Sequence, residues 1–198
     1  MKEGLIALAL ALALLLAACG DPVRRPSYDG TPQITFRGRV SEVAPDLLGH
    51  RYSQSWKEVL GNGGWGSSDR QMVTTSPLLV EASFQQPPTK RLDGSDAPMA
   101  LLALEVTIED GIETGFIAVN NWVAYAPAAV DVLPLGAGQP VLHLEPGYTL
   151  VQRTCVPGGD PNQLSTVPLD TVMELVPFTH SSLENEYRAR CGLPLPMP

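Results

Sequence analysis

An all-β domain is what this sequence predicts, and three observations predict it. Proline takes 19 of the 198 positions, nearly double the usual share of about 5%. It is spread along the chain, which cuts helices short and favours strands and loops. Leu102, Leu104, Val106 and Ile108 alternate with Ala103, Glu105 and Thr107 and run into Asp110-Gly111. An Asp-Gly pair beside an alternating run is a strong hairpin signal, because that turn needs positive φ. About seven or eight short strands with frequent turn signals fit a single β-sandwich, with a partly open barrel as the alternative. Two short helices complete the expectation, one of them C-terminal. Residues 33–198 form one domain in this reading, a size that buries on the order of 70% of the unfolded surface.

The elements follow in order. Across Gln33–Val43, Ile34, Phe36 and Val40 interleave with Thr35, Arg37 and Arg39, which predicts a strand with a bulge at Gly38. Ser55-Trp56-Lys57-Glu58 has capping-box spacing and Gly61 offers a stop, so a short helix burying Trp56, Val59 and Leu60 is expected. Gly61–Asp69 is a glycine-rich loop around Trp65. It lacks the Gly-Lys-Ser/Thr ending of a phosphate loop, which leaves Trp65 as a candidate ligand or partner contact or as a core residue. Leu78–Gln85 reads as a strand ended by Pro87-Pro88, and 89–98 as a polar loop.

The hairpin comes next. A two-residue loop at Asp110-Gly111 places Leu104 opposite Ile117, Leu102 opposite Val119, and Thr107 opposite Thr114, with Ile112–Tyr125 as the returning strand. A one-residue slip would move every side chain to the other face. Val130–Leu135, Val141–Glu145, Tyr148–Cys155 and Thr171–Val176 are further strands, the middle two joined at Pro146-Gly147, a turn pair. The last element reads as a helix. Ser181 and Glu184 make a capping box, Arg188 and Arg190 suit the C-terminal dipole, and Gly192 and Pro194 stop it.

The N-terminus carries a different kind of signal. Residues 5–18 hold only Leu, Ile and Ala, 14 apolar positions behind Lys2. A bilayer-crossing helix needs about 20, and the length instead fits the h-region of a secretory signal. Leu16-Ala17-Ala18-Cys19 resembles the lipobox of bacterial lipoproteins. The resemblance implies cleavage between Ala18 and Cys19, a diacylglyceryl group on the Cys19 sulfur, and acylation of the new amine. Each buried methylene contributes about 0.8 kcal/mol and one chain alone is marginal, so two or three chains anchor the protein permanently. The expected organisation is a signal peptide over 1–18, a lipidated, proline-rich tether over 19–32, and the β domain over 33–198. Gly20 after the cysteine, with Asp21 only one later, favours the outer membrane over the inner, with the domain facing the periplasm or the cell surface.

Three cysteines would leave one unpaired in an exported protein. If Cys19 is consumed by lipid, Cys155 and Cys191 remain to oxidise outside the cytoplasm. A bridge between them contributes roughly 4 kcal/mol in the chain-entropy account and staples the final helix to the strand ending at Cys155.

The net charge is −8 with no Lys/Arg block, which argues against nucleic acid as a partner. No nucleophile elbow, zincin helix or Cys-x-x-Cys pair appears, so no catalytic residue and no cofactor is assigned. His143 and Glu145 share one face of a strand and are candidate contact residues. With His50 or His180 they would make a three-ligand metal site, but a solvated face is the preferred reading and no metal is assigned. The expected function is a membrane-anchored envelope module, non-enzymatic, that binds a protein, peptide or glycan or serves in assembly. A small-ligand carrier with a β pocket and a hydrolase of envelope polymers are the alternatives.

Overall fold

In the computed structural model the described residues are 33–59, 64–66, 70–84, 86–90, 94–109, 115–132, 141–154, 163–178 and 191. The signal peptide and tether expected over 1–32 and the C-terminal helix expected at 181–190 lie outside them. Among the described residues there is no α-helix, only a 3-10 turn at Pro45–Leu47 between the first two strands.

The chain opens with β1 (Thr35–Val40) and β2 (Arg51–Glu58), then two short strands, β3 (Gly64–Gly66) and β4 (Gln71–Met72), and β5 (Leu78–Ser83). The longest strand, β6 (Ala100–Ile108), is followed by β7 (Gly115–Ala118) and β8 (Asn121–Ala126). After them come β9 (Val130–Val132), β10 (Leu142–Leu144), β11 (Gly147–Thr154), β12 (Gln163–Val167) and β13 (Met173–Phe178). Eleven of these strands share one sheet in the order β12-β11-β8-β6-β7-β13-β1-β5, with β2 on the other edge of β6 and β3 and β4 on β2. Strands β9 and β10 form a separate two-stranded ribbon. All-β is therefore the fold class, built on one continuous open sheet.

That sheet bends back on itself. Four strand steps separate β2 from β1 along the order, roughly 19 Å in a flat sheet at about 4.8 Å per step. Yet the rings of Trp56 on β2 and Phe36 on β1 stand 5.6 Å apart. Phe84, just past β5, stacks on Trp56 at 4.6 Å, although a flat sheet would add one more step. The concave face thus closes around one core that takes Phe36 and Val40 from β1, Tyr52 and Trp56 from β2, Val80 from β5, Leu102, Leu104 and Val106 from β6, and Leu175 from β13. A second core lies on the other face of the same sheet, around Leu101, Ala103, Ile117, Trp122, Val151 and Val176. The ribbon covers part of it with Val132 and Leu144.

The helix expected at Ser55–Glu58 is instead the end of β2. Tyr52, Gln54 and Trp56 are buried in alternation, and β2 pairs with β6 from Tyr52↔Ile108 to Glu58↔Leu102. The capping-box spacing is a local preference that filling an open edge of the central strand overrides. Strands β3, β4 and β12 were not foreshadowed by any alternation.

The hairpin forms, but its register differs from the expectation by one residue. Glu105 pairs with Ile117, Val106 with Phe116 and Thr107 with Gly115. The turn at 110–114 lies outside the described residues. Two features explain the slip. Strand β7 is buried on both faces, Phe116 and Ala118 in the first core and Ile117 in the second, so alternation does not pin the register. In addition, a Cβ at Gly115 would stand 2.4 Å from Phe178 Cε1 and 2.8 Å from the Val106 carbonyl oxygen, so only glycine fits at that register position. The expected return strand 112–125 is also divided. From Glu105 to Leu102 β6 advances three residues while its partners advance six, from Ile117 to Val123. The three-residue excess falls at the break around Val119 and Asn120, from which β7 pairs on with β13 and β8 with β11.

Gly38 carries no bulge. Its register is unbroken with both β5 and β13, and its missing side chain makes room for Leu175 Cδ1 and Leu104 Cδ2, which would lie 2.8 and 3.0 Å from a Cβ. Gly38→Val is expected to overpack the first core and cost about 1–3 kcal/mol. A urea midpoint lowered at unchanged slope would record it, and an unchanged midpoint would refute the close approach.

Candidate functional site

The exposed face of the ribbon brings three ionisable side chains, Asp131, His143 and Glu145, into contact. Antiparallel pairing sets Leu142 against Val132, His143 against Asp131 and Leu144 against Val130. Side chains alternate across a strand, so the four apolar residues share the inward face and Asp131, His143 and Glu145 the outward one. His143 Nδ1 lies 2.7 Å from Asp131 Oδ1, and its Nε2 lies 3.3 Å from Glu145 Oε1. Only the imidazolium can donate from both ring nitrogens; the neutral ring donates from one. The hydrogen bond to Asp131 is the foremost cause that raises His143 above its ordinary pKa; desolvation comes next and opposes it, and the charges of Asp131 and Glu145 and the contact with Glu145 add to the rise.

The arrangement holds a proton; it does not prepare a reaction. In a nucleophilic triad one ring nitrogen faces a hydroxyl or thiol and the other a carboxylate. Here both face carboxylates. The two nitrogens point away from each other, so Asp131 and Glu145 do not converge with His143 on one ion. Among the described residues no group of three His, Cys, Asp or Glu side chains is placed to hold a metal. His50 sits in the connection between β1 and β2, where its amide donates to the Leu47 carbonyl. His180 lies outside the described residues.

The structure brings His143 and Glu145 together as the strand pattern requires, and adds Asp131, which the sequence reading had missed. The missing signal is cross-strand register: Asp131 is twelve residues from His143 and meets it only because β9 pairs with β10. For Trp65 the backbone is described, paired with Trp56 across β2 and β3; its side chain lies outside the described residues. Cys19 and Cys155 also lie outside them, while Cys191 is described and is not a titrating thiol.

A second assembly that sequence reading did not gather is aromatic. Trp56, Phe84 and Tyr148 stack in series, at 4.6 and 5.7 Å between centroids. Phe36 meets all three edge-on, and Tyr125 lies against Tyr148. Phe36, Trp56, Phe84 and Tyr125 are buried and Tyr148 packs half-buried against the first core, so these rings belong to the core and not to an open binding face. On the other face Arg153 is buried at 2% exposure with its guanidinium 5.5 Å over the Trp122 ring.

Compared with protein families, with curated proteins and with solved structures, the chain has no match.

Proposed function

We propose that this chain is a lipid-anchored protein of the bacterial cell envelope whose β domain works as a non-enzymatic binding or assembly module. The observation that carries the reading is the sequence Leu16-Ala17-Ala18-Cys19 closing a 14-residue apolar run. It supports cleavage before Cys19, acylation of that residue, and export to an oxidising space. There Cys155 and Cys191 pair, and that Cys191 is not a titrating thiol agrees with such a bridge. The partner is a protein, peptide or glycan of the envelope, and not nucleic acid. The domain offers it two sheet edges, β5 and β12, at the ends of the strand order, and loops on a rigid scaffold. In this reading the curled sheet and the ribbon act as the two layers of a small sandwich. The outer membrane is the favoured anchor site.

Intact mass of the protein extracted from membranes tests the anchor and the bridge together. The expected species begins at Cys19, carries two or three acyl chains, and takes up no thiol label when denatured without reductant. A chain that keeps residues 1–18 and bears no acyl group overturns the anchor. Labelling of both Cys155 and Cys191 overturns the bridge. Crosslinking in native membranes then reads the module: a reproducible envelope neighbour supports the binding role, and capture of nothing above a Cys19→Ala control refutes it.

A further inference from the structure

We propose that the β9–β10 ribbon is a proton-operated clasp over the second core, held closed when His143 is charged and bridges Asp131 on β9 to Glu145 beyond β10. The ribbon has a built reason to depend on such a bridge. It has only three residue pairs, and an isolated two-stranded hairpin is marginal in water. What holds it is the apolar face, with Val132 and Leu144 buried in the second core and Val130 and Leu142 packed against it, and the single polar cross-strand pair on the other face. Opposite charges directly across a strand pair stabilise it, and neutralising one removes most of that gain.

The groups that surround this switch are few. On the outward face Asp131 and Glu145 are the two ionisable side chains in contact with the ring. On the main-sheet face beneath the ribbon, the register of β2, β6, β11 and β13 puts Lys57, Glu105, Arg153 and Glu174 on the side of the second core, and Arg153 is held over Trp122. The direction of the response follows from His143. Its pKa in the folded chain stands above the ordinary 6.5. The bridge therefore contributes in full below about pH 6.5 and is lost as pH rises through the higher folded value. Opening the ribbon uncovers the apolar side chains of the second core beside Val132 and Leu144, so an alkaline shift raises the fraction of chains in which that surface is accessible by the factor one cross-strand charge pair supplies.

Hydrogen–deuterium exchange on the full chain at about pH 5.5 and about pH 8, corrected for intrinsic amide rates, tests this. Protection of peptides covering 130–132 and 142–145 is expected to fall about two- to fivefold at the higher pH, the size of one cross-strand charge pair. Peptides from β6 serve as the internal reference and keep theirs. His143→Gln is expected to abolish the difference, and Asp131→Asn to reduce it with the histidine still present. Ribbon protection that is independent of pH in the parent chain overturns the proposal. So does a pH response that survives in both variants. If His143→Gln fails to fold, Asp131→Asn alone decides.

Discussion

Trp56→Ala is expected to lower the unfolding free energy by about 3–5 kcal/mol, the range for deleting a large buried ring. Trp56 is 5% exposed and stacks on Phe84 at 4.6 Å with Phe36 edge-on at 5.6 Å. These are the contacts that join the two ends of the curled sheet, so the cavity falls where β2, β1 and the end of β5 meet. Intrinsic strand preference spans only ~1 kcal/mol and cannot supply a loss of that size. For a domain of this length the change is roughly 10 °C in Tm. Trp56→Phe keeps an aromatic face for Phe84 and is expected to cost clearly less. A loss below about 1 kcal/mol for the alanine variant, the level of a surface change, would show that the sheet does not close at this point.

Trp122→Ala comes next, at a similar 3–5 kcal/mol. Trp122 is fully buried in the second core, and its removal also takes away the ring beneath the Arg153 guanidinium, a contact of about 2 kcal/mol or more when desolvated. Trp122→Phe separates the parts. The indole Nε1 has no hydrogen-bond partner among the described residues, and a buried unpaired donor costs about 1–3 kcal/mol. Phenylalanine removes that penalty, keeps a π face under Arg153, and gives up some volume. It is expected to lose less than half of what alanine loses. Chemical denaturation of the two variants side by side measures both. Equal losses would mean that the N–H has a partner and that the ring face is unimportant.

Much of the fold could be read from local pattern where one face of a strand is apolar and the other wet. Phe36 and Val40 in β1, Leu78, Val80 and Ala82 in β5, and Leu144 in β10 all face inward as their alternation requires. The reading failed where burial is two-sided or where a neighbour decides. Strand β7 is buried on both faces over Gly115–Ala118, and the hairpin register then followed Gly115 and the ring of Phe178 instead of the Asp-Gly turn. At Ser55–Glu58 a helix start signal of four residues lost to the open edge of β6. The candidate site was half readable for the same reason. His143 on β10 and Glu145 just past its end are two residues apart, a spacing visible in any sequence. Asp131 arrives by strand pairing, which leaves no mark on the residues between.

The sequence by itself determined the fold class and the apolar face of most strands, because these depend on residue type at short spacing and on the chain's own periodicity. The tertiary structure alone decided the curl of the sheet, the register around β6, the split into two cores, and the company His143 keeps. Each of these is a contact between residues distant along the chain, selected by which side chains fill the space between strands, and short-range pattern carries no information about that choice.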